Sequence, residues 1–404
     1  MSGYWQKKTS LRLQGTLSYR QFQSSTLLLP ELASRNTLLG RTDASFQAFK
    51  GSFRSQTTLE TGAGQEPRQE FTFIKVAPGE GAYIWLDSLY NADGIIQPVE
   101  MQPAPFPDQA DYIRVPTISL RYVQTDYLNL SQNLQFEPGN FWEKSDSSRV
   151  AGLFRRLSGQ LSWRTQQKKQ DGSPFAVFQP DIADTSLVAL SEGLRQSLTF
   201  NRAHPKWEVQ WVRTLNRGKQ VQSSGYDIRE LRESYGLLRW NPFQTWSLRA
   251  QAGSGIRKSL VTSFNGQDYI LPFQKIEGDL SWLPRPGLRA QLHVRIQSER
   301  NTAPGQDQQA LLREIRAESA YTPGNNTTLT VRLTRVAARF EGDARSPAGF
   351  AILNGLQPGT NWIWNLSMER QLNRVLQLQV QYDGRKTGNN PPAHIGRVQI
   401  TALF

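Results

Sequence analysis

The sequence predicts an all-β fold: a transmembrane, antiparallel, up-and-down β-barrel of about 14–16 strands with an irregular insert. Three observations lead there. The chain ends in Gly396-Arg-Val-Gln-Ile-Thr-Ala-Leu-Phe404, where Val398, Ile400, Ala402 and Phe404 alternate with Arg397, Gln399 and Thr401. The same two-residue alternation recurs from about residue 185 onward, in runs of about 9–11 residues, the length at which a tilted strand crosses hydrocarbon. Connectors between the runs are alternately short and long, as in barrels with short periplasmic turns and longer extracellular loops.

Composition permits this fold without requiring it. The 404 residues are 38% hydrophobic and 20% charged, with mean hydropathy −0.54. The apolar runs are only a few residues long, so no helix reaches the roughly 20 apolar residues needed to span a bilayer. Only helices and closed barrels satisfy their backbone in lipid, so any membrane insertion must be as a barrel. The absence of cysteine excludes disulfides and thiolate metal sites. The net charge of +13 favours anionic partners, yet the chain has no helix-turn-helix pattern, zinc-finger spacing or lysine-rich tail, and nucleic acid is not expected.

In chain order, residues 1–63 carry the first barrel strands, near 10–21, 38–48 and 51–62. Residues 64–116 form the irregular insert, a plug or cap. Residues 117–404 hold the remaining strands, beginning near 117–136 and 150–165. Descending strands then fall near 185–202, 228–241, 269–283, 309–322, 359–371 and 392–404, and ascending strands near 206–219, 243–258, 287–301, 326–341 and 373–386. Short turns lie at 201–205, 241–243, 284–287, 322–326 and 371–374. Longer loops lie at 217–224, 261–268, 301–309 and 341–360.

A small repeat sharpens the reading. Gly15-x-Leu-x-Tyr19, Gly159-x-Leu-x-Trp163, Gly236-x-Leu-x-Trp240 and Gly278-x-Leu-x-Trp282 share one spacing, with Leu198-x-Phe200 and Ser319-x-Tyr321 as partial copies. Tyr19, Trp163, Phe200, Trp240, Trp282, Tyr321 and Phe404 are thus read as an aromatic girdle at a membrane interface; the plainer alternative is aromatics packing beside turns. Arginines occupy many polar strand positions, and Arg249, Arg289, Arg295 and Arg332 would give the lumen a positive field. Solvated charge on a soluble sheet is the competing reading.

The insert contains Gly79-Glu-Gly-Ala-Tyr-Ile-Trp-Leu-Asp87, then Asn91-Ala-Asp-Gly94 and Glu100. Asn91, Asp93, Gly94 and Glu100 match the third, fifth, sixth and twelfth positions of an EF-hand-type calcium loop. The first position is Leu89, which cannot ligate, and Asp87 lies two residues too early. Calcium on Asp87, Asn91, Asp93 and Glu100 therefore stands beside a turn held by Asn and Asp side chains. The positions Gly79, Gly81, Tyr83, Trp85, Asp87, Asn91, Asp93, Gly94, Glu100, Phe106, Asp108, Ala110, Tyr112, Ile113 and Arg114 resemble a motif of large, uncharacterised outer-membrane proteins of Bacteroidota. That resemblance covers under a tenth of the chain, departs at the extra Ser88-Leu89 pair, and implies the carboxy-terminal barrel of a longer surface protein. It implies no activity.

Catalytic signatures are sparse. His204, His293 and His394 are scattered, and neither a Gly-x-Ser-x-Gly elbow nor a Walker loop occurs. The expected role is transport, assembly or surface display at a Gram-negative outer membrane, porin-like and without catalysis. The expected partners are outer-membrane lipid and, through the carboxy-terminal strand, the barrel assembly machinery. The amino terminus lacks the apolar core of an export signal, so the chain is expected to be a mature or truncated piece of something longer. Two rivals remain: a soluble β-rich surface module binding carbohydrate or protein, and an outer-membrane hydrolase using His293 or His204.

Overall fold

The computed structural model describes residues 2–7, 11–22, 35–141, 149–170, 182, 186–222, 225–261, 268–324, 326–373 and 375–402. The protein is an antiparallel, up-and-down β-barrel. Its strands are β1 (Ser2–Lys7), β2 (Leu11–Phe22), β3 (Arg35–Ala48), β4 (Phe53–Lys75), β5 (Tyr83–Trp85), β6 (Met101–Pro103), β7 (Tyr112–Phe136), β8 (Leu157–Lys169), β9 (Leu187–Phe200), β10 (Trp207–Gln222), β11 (Gly225–Phe243), β12 (Trp246–Val261), β13 (Tyr269–Arg285), β14 (Leu288–Arg300), β15 (Gln309–Tyr321), β16 (Thr327–Glu341), β17 (Gly359–Gln371), β18 (Leu376–Thr387) and β19 (Ala393–Ala402). Two short helices join them, α1 (Arg149–Phe154) and α2 (Pro347–Leu353). The strands of ten residues or more, β2–β4 and β7–β19, number sixteen among the described residues.

Each long strand pairs with the next, and β4 skips the two short pieces to pair with β7. Parity then sorts every side chain. On β14, Leu292, Val294 and Ile296 are exposed, and they face Leu280, Gly278 and Ile276 of β13 across the ladder. On β19, Val398 and Ile400 are exposed opposite Val380 and Leu378 of β18. Exposed Val331 and Leu333 of β16 sit between Ala317 and Ser319 of β15 and Trp364 and Leu366 of β17. These residues form one apolar outer band, whereas His293, Arg295, Glu314, Glu318 and Arg332 share the opposite face. A soluble sheet would bury its apolar face; here that face is the exposed one.

The inner face is charged but paired. Arg239 meets Glu208 at 3.3 Å, Lys275 meets Glu233 at 2.5 Å, Arg295 meets Glu314 at 2.6 Å and Arg332 meets Glu318 at 2.7 Å. Cross-strand neighbours of opposite charge satisfy each other in a wet interior, which is how a polar lumen is built from alternating strands.

Several boundaries differ from the sequence reading. Residues 150–165 are not one strand: α1 precedes β8, because Val150, Leu153 and Phe154 follow helical rather than two-residue spacing. The β4–β7 ladder continues to Lys75↔Tyr112, so the stretch outside it is 76–111 rather than 64–116. Gly64 and Pro67 obscured that strand, and the ladder accommodates them with a register break between Pro67 and Gln69. The loop expected at 217–224 is a hairpin paired as far as Gln222↔Gly225.

Candidate functional site

The stretch 76–111 folds inside the barrel. Its wall contacts come both from β16–β19 and from β9–β11. At one end, the Arg385 guanidinium of β18 donates to both Asp108 carboxylate oxygens at 2.8 and 2.5 Å and stacks 4.5 Å from the Phe106 ring centre. Phe106 also packs with Val336, Leu356 and Ile363 of the β16–β17 region. Arg397 of β19 donates to the Gly79 carbonyl at 2.9 Å. Around the other side, a cavity of about 310 Å³ lies between Phe73, Tyr83 and Arg114 and the inward residues Ser191, Gly218, Gln220, Asp227 and Arg229 of β9–β11.

The loop between β16 and β17 also turns inward. Ser346 caps α2 by accepting from the Gly349 N–H at 3.0 Å. Ile352 and Leu353 bury against Leu271, Ala310, Leu312 and Ala338 on the inner wall, and Arg257 of β12 donates to the Ala351 carbonyl at 3.0 Å. Leu356 then meets Phe106.

The insert has its own small core. Phe73, Met101 and Tyr112 are buried together with Tyr83 and Trp85 against them. Gly81 passes so close to the β7 entry that an added Cβ would lie 2.6 Å from the Tyr112 nitrogen and 2.7 Å from the Ala110 carbonyl oxygen. The Gly79 and Gly81 N–H groups both donate to that carbonyl. These contacts give the repeated glycines of the motif a physical reason.

Next to this core lies an acidic group. Carboxylate oxygens of Asp87, Asp93 and Glu100 all lie within 4.8 Å of one another. A turn of 3-10 helix over Asp87–Leu89 takes up the two extra residues, and the Tyr90 and Ala92 N–H groups both donate back to the Asp87 carbonyl. Asp87 thereby reaches the group despite its early position. Glu100 is fully buried; its Oε2 accepts from the Trp85 indole at 2.8 Å and from the Gln97 N–H at 3.2 Å, while its Oε1 has no hydrogen-bond partner. The Asp87 Oδ1 is likewise buried without one. Burial, with the nearby charges of Asp87 and Asp93, raises the Glu100 carboxyl above its usual range despite those two donors. Asn91 is turned differently from the expectation: its amide donates to Asp93 Oδ2 at 2.8 Å and its oxygen accepts from the Asp93 N–H, so it supports Asp93 from beside the group.

Tyr90 is the tip of this loop. Its hydroxyl accepts from Gln102 at 3.2 Å and lies near Tyr269, Arg229 and Asp227 of the wall. Burial pushes its phenol up to about 12.

The remaining sequence-derived positions divide. Phe200, Trp240, Trp282 and Tyr321 lie at the lower ends of descending strands, joined by two tryptophans the repeat did not include: Trp207 lies 5.8 Å from Phe200 and opposite Trp240, and Trp246 stacks 5.6 Å from Trp282. Tyr19 is not in that ring, because β2 ascends and carries it to the opposite end. Trp163 is also outside it: it lies mid-strand and donates to Glu192 at 2.9 Å. Phe404 lies outside the described residues. Arg295 and Arg332 are ion-paired rather than sources of an open positive field, and Arg249 faces Asp279 in register. Arg289 points inward on β14.

His293 has a partner that the sequence did not reveal, Asp279 at 2.7 Å across the β13–β14 hairpin. His204 accepts from the Lys206 N–H at 3.2 Å within its turn, and His394 stacks on Tyr382 at 6.0 Å on the outer face.

No protein-family model matches the chain, and no curated protein matches it. Solved structures with some similarity include a bacterial polysaccharide outer membrane secretin, 8% identical over 97% of this chain and 96% of that one, with a TM-score of 0.32. The FrpB iron transporter from Neisseria meningitidis (F3-3 variant) is 11% identical over 95% of this chain and 65% of its own, with a TM-score of 0.37. A BenF-like porin from Pseudomonas fluorescens Pf-5 is 11% identical over 98% of both chains, with a TM-score of 0.34.

Proposed function

We propose that this chain is an outer-membrane β-barrel with a transport role, its passage controlled by the segment 76–111 folded into its own lumen. One observation carries the reading. The wall presents exposed Ile276, Leu292, Val294, Val331 and Val398 outward and ion-paired residues inward, a division that suits lipid outside and water inside. Outer-membrane lipid and the barrel assembly machinery, acting on the carboxy-terminal strand, are the partners this reading implies. The resemblance of residues 79–114 to a motif of outer-membrane proteins of Bacteroidota supports a place at the cell surface.

The segment 76–111 and the α2 loop narrow the lumen from different sides and touch at Phe106 and Leu356. A wide open pore is therefore not the resting state under this reading; the insert must shift for solute to pass. No catalysis is proposed: Ser281, the nearest inward serine along β13, is engaged by the Gln291 amide at 2.9 Å, and the His293–Asp279 pair serves the polar lining.

Two measurements test the proposal. Protein folded in detergent should migrate faster on a gel before heating than after, as closed barrels do, and should require detergent or lipid to fold. In planar bilayers, removing residues 78–109 with a short Gly-Ser replacement should raise single-channel conductance severalfold. Folding without detergent would favour the soluble sugar-binding module instead, and unchanged conductance would remove the insert from the transport path.

A further inference from the structure

The geometry points to a divalent-cation site, of calcium type, formed by Asp87, Asp93 and Glu100 within the lumenal insert. Oxygens bound to one calcium at about 2.3–2.6 Å lie no further apart than about twice that distance. The three carboxylates, all within 4.8 Å of one another, satisfy that limit. All three donors are hard oxygens, which excludes a preference for softer metals.

The acidic grouping is not the sole ground. Glu100, one of the three, is fully buried, and its Oε1 has no hydrogen-bond donor. Asp87 Oδ1 is buried in the same condition. A carboxylate oxygen removed from water without a donor is destabilising, and three neighbouring carboxylates repel one another. A bound cation removes both penalties at once. The other oxygens are already held in place: Glu100 Oε2 by Trp85 and Gln97, and Asp93 by Asn91, Gln97 and the Ile95 N–H. That outer layer fixes the carboxylates as outer partners fix metal ligands elsewhere. Gly94, at φ 74°, makes the sharp turn that brings Asp93 beside Asp87.

The site also has a structural reach. It joins the Asp87–Leu89 turn, whose next residue Tyr90 lies near the wall residues Tyr269 and Arg229, to Glu100, whose carbonyl accepts from the Leu86 N–H at 3.0 Å. Binding would tie the loop to the insert's small core. The inference rests on the insert's geometry and not on the transport reading, so a barrel that conducts nothing still tests it.

The test uses the full chain, folded in detergent, freed of metal with a chelator and titrated with calcium chloride by calorimetry. The expected result is saturable binding of one ion per chain, with Kd on the order of 10⁻⁵ to 10⁻³ M. Asp93→Asn and Glu100→Gln should each weaken it at least about tenfold, while Asp227→Asn on the wall leaves it unchanged. Calcium should also slow protease cleavage within 76–111 in the wild type and not in Glu100→Gln. Absence of saturable binding in a folded, heat-modifiable wild-type barrel overturns the inference. So does equal binding by Glu100→Gln, the outcome expected if Glu100 is simply a protonated carboxyl.

Discussion

The wall from β12 to β17 and the insert of 76–111 are built on opposite logics. In the wall a residue's role is set by parity alone: Val294 faces out and Arg295 faces in because they are neighbours on one strand. In the insert almost every motif residue has a separate task. Gly81 permits a close approach, Trp85 anchors Glu100, Phe106 fills an apolar niche and Asp108 grips Arg385. The wall is therefore robust to any change that keeps polarity on the right face, whereas the insert depends on particular atoms.

The sharpest way to break this comparison is to violate parity. Val294→Arg, placed in the outer band, should destabilise the barrel by about 2–4 kcal/mol in a lipid bilayer, read from urea unfolding in vesicles. If it proves harmless, the outward face is not in hydrocarbon. Next in size is the latch. Arg385→Ala removes both charged hydrogen bonds to Asp108 and the stacking on Phe106, and should weaken docking of the insert by about 2–3 kcal/mol, seen as faster proteolysis within 76–111 while the wall stays intact.

The third prediction concerns pH. The Tyr90 phenol, pushed up to about 12 when the insert is docked, titrates near 10 when free. Its folded value is the higher one, so docking is fully supported below about pH 10 and is lost as pH rises through about 12. Ultraviolet difference titration of wild type against Tyr90→Phe should show one tyrosine ionising late, together with release of the insert. The smallest effect belongs to the lumen wall. His293→Gln should change stability by less than about 1 kcal/mol, because water can replace the partner that Asp279 loses.

Legibility followed the same division. Period-two alternation located the strands from β9 to β19 within a few residues, since an apolar outward face and a polar inward face impose it at every step. It could not supply register, so Asp279 beside His293 and Glu314 beside Arg295 were invisible: each lies on another strand, and only the turn lengths bring them together. The insert was found as a break in that alternation, and the calcium-loop motif within it placed Asp87, Asp93 and Glu100 together. That motif could not show how the 3-10 turn absorbs Ser88 and Leu89. The Asp108–Arg385 latch, spanning 277 residues, leaves no local trace at all. Tyr19 and Trp163 were misplaced because their shared spacing says nothing about which way a strand runs.

The β4–β7 hairpin has a further consequence for how the insert moves. Pairing continues to Lys75↔Tyr112, so residues 76–111 leave and re-enter the wall side by side, as a closed ring. Closing a free chain of that length costs roughly 3 kcal/mol in entropy, a cost the hairpin ladder has already met. Wall contacts such as Arg385–Asp108 need only orient a ring that is already shut. Releasing them would leave the two stems joined, so rebinding would start from a loop whose ends already meet.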